Sequence, residues 1–219
     1  MQPQLFQSFF HAETTEILCP PHHGRLIKRL SDICIPDRVI ITPDSPMTAK
    51  LPYLMLEHIE SNTGKISFEA TMNEANADEP EAQSTTFLFS EKHVLYGKLR
   101  PYLNKVALPN FKGRCTTELI PLLPYEGVSR RYLAWILRRP ETVVFAMQSK
   151  TGGRMPRANI DELLRLAIEI PESIVEQERL ADIIESRMNL IAKAKEACER
   201  QFNLLDQLTK RVLTDFPNL

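Results

Sequence analysis

Between Pro171 and Pro217 the chain contains neither glycine nor proline. Ser173 opens this stretch, and Glu176 follows three residues later, the pattern of a capping box at a helix start. One helix from about 173 to 215 is therefore expected. At ~1.5 Å per residue it would run about 60 Å, more than a small domain can cover, so it is expected to project. Ile184, Ile191, Cys198, Leu205 and Val212 recur at intervals of seven, with Leu180, Ala194 and Leu208 in the companion positions of a coiled-coil seam. Arg187 and Gln201 interrupt those companion positions, while Met188 and Phe202 widen the apolar face. Glu196 with Arg200, and Asp206 with Lys210, form i,i+4 pairs suited to a solvated outer face. The helix is expected to pack against another long helix, in the same chain or another; the alternative is a helix folded back on its own domain.

The preceding residues have a different texture. Residues 1–24 show no clear period and are read as an N-terminal extension. From Gly24 onward, "YLMLEHI", "GKISFEA", "TTFLFS", "HVLYGKL", "NKVALP" and "CTTELIPLLP" are short runs of β-formers bounded by Pro, Gly or Asn. Two helical stretches follow, "SRRYLAWILRR" with Ser129 as N-cap and "PETVVFAMQSK" with Pro140 in its first turn. The expected fold class is α+β: a compact, mostly antiparallel twisted sheet with packed helices over 25–171, then the long spacer and dimerisation helix over 172–219.

No apolar run approaches the roughly 18–20 residues of a membrane span, and the N-terminus has no signal-peptide pattern. Four scattered cysteines fit a reducing cytoplasm better than a disulfide scaffold. Cys19, His22, His23 and Cys34 are zinc-ligand types close in sequence, but their spacing matches no paired ligand pattern, and no metal is expected. There is no P-loop, dinucleotide fingerprint, GxSxG or HExxH. His58 beside Glu57 and Glu60 reads as a structural histidine rather than a catalytic one. A non-catalytic binding protein without a cofactor is the expectation.

Charge points to the ligand. The formal net charge of −1 conceals a segregated distribution. Leu56–Glu81 holds seven acids against Lys65, a balance of −6, whereas Ser90–Arg165 holds five lysines and nine arginines against six acids, a balance of +8. Such a basic middle is the footprint of a nucleic-acid binder, with charges solvated on opposite helix faces as the plainer alternative. Within "VLYGKLRPYLNKV" an extended, alternating segment would turn Tyr96, Leu99 or Tyr102 inward and Lys98, Arg100 and Lys105 towards DNA. "TGGRMPRANIDELL", preceded by Lys150, presents Arg154 and Arg157 on a glycine loop that a phosphate or groove could approach closely. In "ALPNFKGRC", Lys112 and Arg114 are the first candidates for base contacts, since Arg or Lys to guanine is the commonest such contact.

The order of these segments resembles the specificity subunit of type I restriction-modification systems. The likeness runs over about residues 25–215, through "LPYLMLEHIESNTGKI", "VLYGKLRPYLNKV", "CTTEL", the helical pair, "TGGRMPRANIDEL" and "IEIPESIVEQERLADII". The resemblance implies a target-recognition domain that reads one half of a split double-stranded DNA target, followed by a spacer helix. It also implies partner modification subunits that methylate adenine at N6, and through them a restriction subunit. Lys98 and Arg100 match the family's "YGKLRP" segment; Thr116, Thr117 and Glu118 its "TE" strand; Gly153, Met155, Pro156 and Arg157 its glycine loop. One recognition domain and one helix depart from the family's doubled unit. A homodimer through the helix is favoured over pairing with a different half or a partnerless chain. A scaffold or inhibitory subunit that holds the methyltransferase without reading DNA is the alternative function, and single-strand or RNA recognition a weaker third.

Overall fold

The computed structural model describes residues 24–48, 50–67 and 84–215. The N-terminal extension, the Cys19, His22 and His23 group and most of the acidic stretch "EANADEPEAQSTT" lie outside the described residues.

The strands divide among two sheets and a ribbon instead of forming one sheet. In the ribbon, β1 (Arg25–Arg29) pairs antiparallel with β10 (Ala167–Pro171), joining positions far apart in sequence. The first sheet has the order β2 (Cys34–Pro36), β9 (Leu119–Pro124), β6 (Val94–Gly97), β7 (Val106–Ala107), all antiparallel. The second has the order β3 (Ile40–Ile41), β5 (Thr86–Phe89), β8 (Gly113–Thr116), β4 (Tyr53–Leu54), with β4 parallel to β8. β8 and β9 are separated by a short turn, so consecutive strands serve different sheets. Leu54, Phe89, Leu95, Leu119 and Leu133 are fully buried in the core.

Helix α1 (Arg130–Arg138) begins where expected: the Ser129 hydroxyl accepts the Tyr132 N–H at 3.1 Å. Tyr132, Leu133 and Ile136 are buried, and Trp135 lies under the Arg138 guanidinium at 4.7 Å. Helix α2 (Pro140–Gln148) starts on its proline, whose missing N–H costs nothing at that position. The short α3 (Ile160–Leu163) is capped by Asn159, whose Oδ1 accepts the N–H groups of Asp161 and Glu162.

The chain divides into two compact units, Met1–Gln177 and Glu178–Leu219. The long helix α4 (Ile174–Asp215) contributes its first turn to the first unit. There Gln177, 2% exposed, accepts the Ser129 N–H at 2.8 Å and donates to the carbonyls of Pro171 at 2.9 Å and Gly127 at 3.3 Å. One side-chain amide thereby satisfies main-chain groups at the entry to α1 and the end of β10. The second unit is helix throughout its described length, and most of its apolar seam is open: Ile191, Leu205 and Val212 are each about three-fifths exposed. Ala194, Cys198 and Leu208 are exposed too, Ile184 is half-buried and Leu180 is buried.

Candidate nucleic-acid interface

Three segments distant in sequence meet through their main chains. The Lys98 N–H donates to the Glu118 carbonyl at 2.9 Å, and the Lys98 carbonyl accepts the Ala158 N–H at 2.8 Å. The Arg100 N–H donates to the Pro156 carbonyl at 2.7 Å. The glycine loop closes on itself, Thr151 and Arg157 exchanging both main-chain hydrogen bonds at 2.9 and 2.8 Å. Gly152 makes that closure possible: its φ is +80°, and a Cβ there would stand 3.1 Å from the Met155 carbonyl oxygen.

Side chains complete the junction. Arg157 Nε sits 3.0 and 3.2 Å from the two carboxylate oxygens of Glu118, fastening the loop to the end of the β8–β9 turn. Arg157 is thereby committed to a structural pair. Arg100 and Arg154 remain exposed, and Lys98 is half-buried. Lys150 is exposed at the entrance of the loop, Lys112 is exposed just before β8, and Thr117 is half-buried in the turn after it.

Two expected DNA contacts are corrected by their surroundings. Arg114 is fully buried: its Nε donates to the Thr48 carbonyl at 2.9 Å, and its guanidinium lies 4.4 Å over the Tyr53 ring. Its two terminal nitrogens are buried without a hydrogen-bond partner among the described residues. Desolvation lowers its pKa, opposed by Tyr53. A guanidinium enclosed by its own fold does not reach a base edge. Lys105 turns back into the protein, its ammonium donating to the Leu56 carbonyl at 2.7 Å. Desolvation lowers its pKa against the pull of Glu57.

The extended, alternating reading of "VLYGKLRPYLNKV" also gives way. All four residues of β6 are buried, because the strand lies between β9 and β7. Beyond it, Arg100 and Asn104 adopt left-handed conformations, φ +50° each, around a 3₁₀ turn at Pro101–Leu103. Tyr96 is buried, with its pKa raised by desolvation, and Tyr102 points outward.

Two histidines are structural. His58 Nδ1 accepts the Met55 N–H at 3.2 Å. His93 Nε2 donates to Asp37 Oδ2 at 3.1 Å, while Nδ1 accepts the Ser90 N–H at 3.0 Å and lies 3.1 Å from the Ser90 hydroxyl. The Ser90, His93 and Asp37 order has the look of a hydrolytic triad, yet the imidazole lone pair that would activate the hydroxyl already holds a main-chain N–H. Cys34 is a buried thiol whose pKa burial pushes up to about 12. No three metal-ligating side chains come together among the described residues. No helix among them is long and apolar enough to cross a membrane.

Beside the junction lies an open cleft of about 290 Å³, to which Lys98 and Arg38 both contribute. Arg38 escaped the sequence reading, since nothing local links it to a motif 60 positions away.

No family model matches the chain. It is 28% identical over 147 residues to the specificity subunit of the Escherichia coli type I restriction enzyme EcoDI, covering 63% of this chain and 31% of that protein. Its fold is similar to that of the HsdS subunit from Thermoanaerobacter tengcongensis, with a TM-score of 0.60 at 19% identity over 82% of this chain and 46% of that one. It is also similar to a chain from a structural study of complex assembly and conformational transition in a type I R-M system, with a TM-score of 0.62 at 20% identity over 81% and 45% of the two chains. The chain thus spans about a third of the curated relative and a little under half of each solved chain. In sequence the chain is similar to a type I restriction enzyme specificity subunit, and in fold to an HsdS subunit.

Proposed function

We propose that the chain is a non-catalytic, sequence-specific DNA-recognition subunit of a type I restriction-modification complex. It reads one half of a split duplex target and positions N6-adenine methyltransferase subunits, while methylation and cleavage belong to partner subunits in the cytoplasm. The observation that carries this reading is the junction at which main-chain hydrogen bonds hold the Lys98 and Arg100 segment against the loop that bears Arg154 and the turn that bears Glu118, in a chain similar to a specificity subunit. Cations on a fixed frame suit phosphate contacts that set register on a duplex. Lys112, Lys150 and Thr117 remain candidate contacts around it.

Modification-sensitive sequencing of host DNA with and without the gene tests the proposal. Loss of one split N6-methyladenine motif is the expected result. An unchanged methylome, together with a reconstituted complex that does not bind duplex DNA, would overturn it.

The chain further pairs with a second copy through Ile184, Ile191, Ala194, Cys198, Leu205, Leu208 and Val212. The exposure of most of this stripe supports the pairing. Small side chains at Ala194, Ala197 and Cys198 are flanked on both sides by larger ones, Leu190 and Ile191 before, Phe202 and Leu205 after. A stripe that reads alike in both directions suits antiparallel copies related by a two-fold. Two identical readers so related would select a palindromic split motif, which the same sequencing reports. Oxidation of an Ala194→Cys variant should then link residue 194 of one copy to Cys198 of the other. A link between the two native Cys198 residues would indicate parallel pairing instead.

A further inference from the structure

The cleft beside the junction contains two cations that the fold does not neutralise. Arg38 and Lys98 line it, and neither side chain forms an ion pair with any described residue. Both are held from behind. Lys98 is fixed by main-chain bonds to Glu118 and Ala158 on its two sides. Arg38 stands between Asp37, whose N–H donates to the Pro121 carbonyl at 2.8 Å, and Val39, whose carbonyl accepts the Leu88 N–H at 2.8 Å. One oxygen of the Asp37 carboxylate, the acid next to Arg38 in sequence, is engaged by His93 at 3.1 Å. The His93 and Asp37 pair, which has no part in the DNA contacts described so far, thus occupies the carboxylate next to Arg38 in sequence.

The remaining lining narrows the ligand. Phe87, Ile120 and Ile160 provide a buried apolar floor, and Thr151 and Asp161 complete the polar wall. The first N–H groups of α3 are already taken by the Asn159 side chain, so an anion here would be held by side chains and not by the helix end. Asp161 opposes an anion, which favours a single negative charge over a double one.

We propose that this cleft seats one backbone phosphodiester of duplex DNA, with Arg38 and Lys98 on its oxygens and the adjoining deoxyribose over the apolar floor. The inference rests on the DNA-reading function above and assigns Arg38 to it. Because a phosphate carries no sequence, the contact fixes register and contributes equally on every duplex.

The test is equilibrium binding by the full chain reconstituted with its modification subunits, across a range of salt, on duplexes with and without the methylation motif. Arg38→Ala should weaken binding to both duplexes by about tenfold and reduce the salt slope by roughly one, while Arg38→Lys keeps the slope. Asp161→Asn should strengthen binding to both. On the unaltered protein, a scan of single neutral methylphosphonates should find several positions that weaken binding, and Arg38→Ala should become insensitive at one of them while keeping its response at the others. A complex that binds its motif with an unchanged salt slope after Arg38→Ala overturns the cleft assignment and leaves DNA reading intact. A loss of modification-subunit assembly in Arg38→Ala would make the cleft a protein-docking site and also overturn it. Failure of the unaltered complex to bind duplex DNA overturns the reading beneath it.

Discussion

The two units of the chain treat the same kind of side chain in opposite ways. In Met1–Gln177, Leu54, Phe89 and Leu95 are 0% exposed, whereas in Glu178–Leu219 Leu190, Ile191 and Val212 are 64%, 61% and 62% exposed. Helical spacing alone therefore does not make a core. The first unit covers its apolar residues through pairings between distant strands. The described part of the second is one helix, which cannot cover its own stripe because neighbouring turns present the same face.

The sharpest way to break the comparison is to remove volume from each unit. Phe89→Ala, which deletes a ring in edge contact with Phe111 at 5.4 Å, should cost about 3–5 kcal/mol in urea unfolding. Gln177→Ala should cost about 2–3 kcal/mol by the same measurement, because it leaves the buried Ser129 N–H without its acceptor. Arg114→Met should change stability by less than about 1 kcal/mol and leave the methylation motif unaltered, since it removes a buried cation whose terminal nitrogens are unpartnered. In the second unit, Leu205→Ala should alter unfolding of the dilute chain by under about 0.5 kcal/mol. Sedimentation should nevertheless show weaker self-association for that variant. Equal costs for Leu205→Ala and Phe89→Ala at low concentration would erase the distinction between the units.

Thiol labelling gives the smallest but most direct contrast. At neutral pH Cys198, exposed on the helix, should react at once, while Cys34 and Cys115 should react only as the first unit unfolds. The Cys34 pKa is raised by burial from its usual 9.0 to about 12, so the unfolded chain gives up this proton first. Its contribution to stability is complete below pH 9 and is lost as pH climbs towards 12, at up to ~1.4 kcal/mol per pH unit.

Local chemistry was the legible part of this molecule. The start of α4 beside Ser173 follows from the proline before it and the apolar repeat after it, and Ser129, Pro140 and Asn159 each mark a helix start through their own side chains. Pairing over long separations was not legible. β8 takes partners from both β5 and β4, and that choice, not any pattern near residue 114, buries Arg114 over Tyr53. Lys105 likewise reads as a free surface cation until the Leu56 carbonyl comes within reach of its ammonium. Of the site, the basic motifs and the glycine loop were visible in sequence, whereas the Glu118 anchor for Arg157 and the approach of Arg38 to Lys98 depend on tertiary structure.

The closed loop at Thr151–Arg157 has a consequence for how such a protein diversifies. Its ends are latched to each other, and a further latch ties Pro156 to Arg100. Gly153 has open space where a side chain would be, and Arg154 and Met155 are exposed. Mutations at these tip positions therefore change what is offered to a partner without disturbing the latches or the sheets beneath. A lineage can accumulate such changes at little cost to folding, which makes the tip a place where inherited variation in surface chemistry can collect while the frame stays the same.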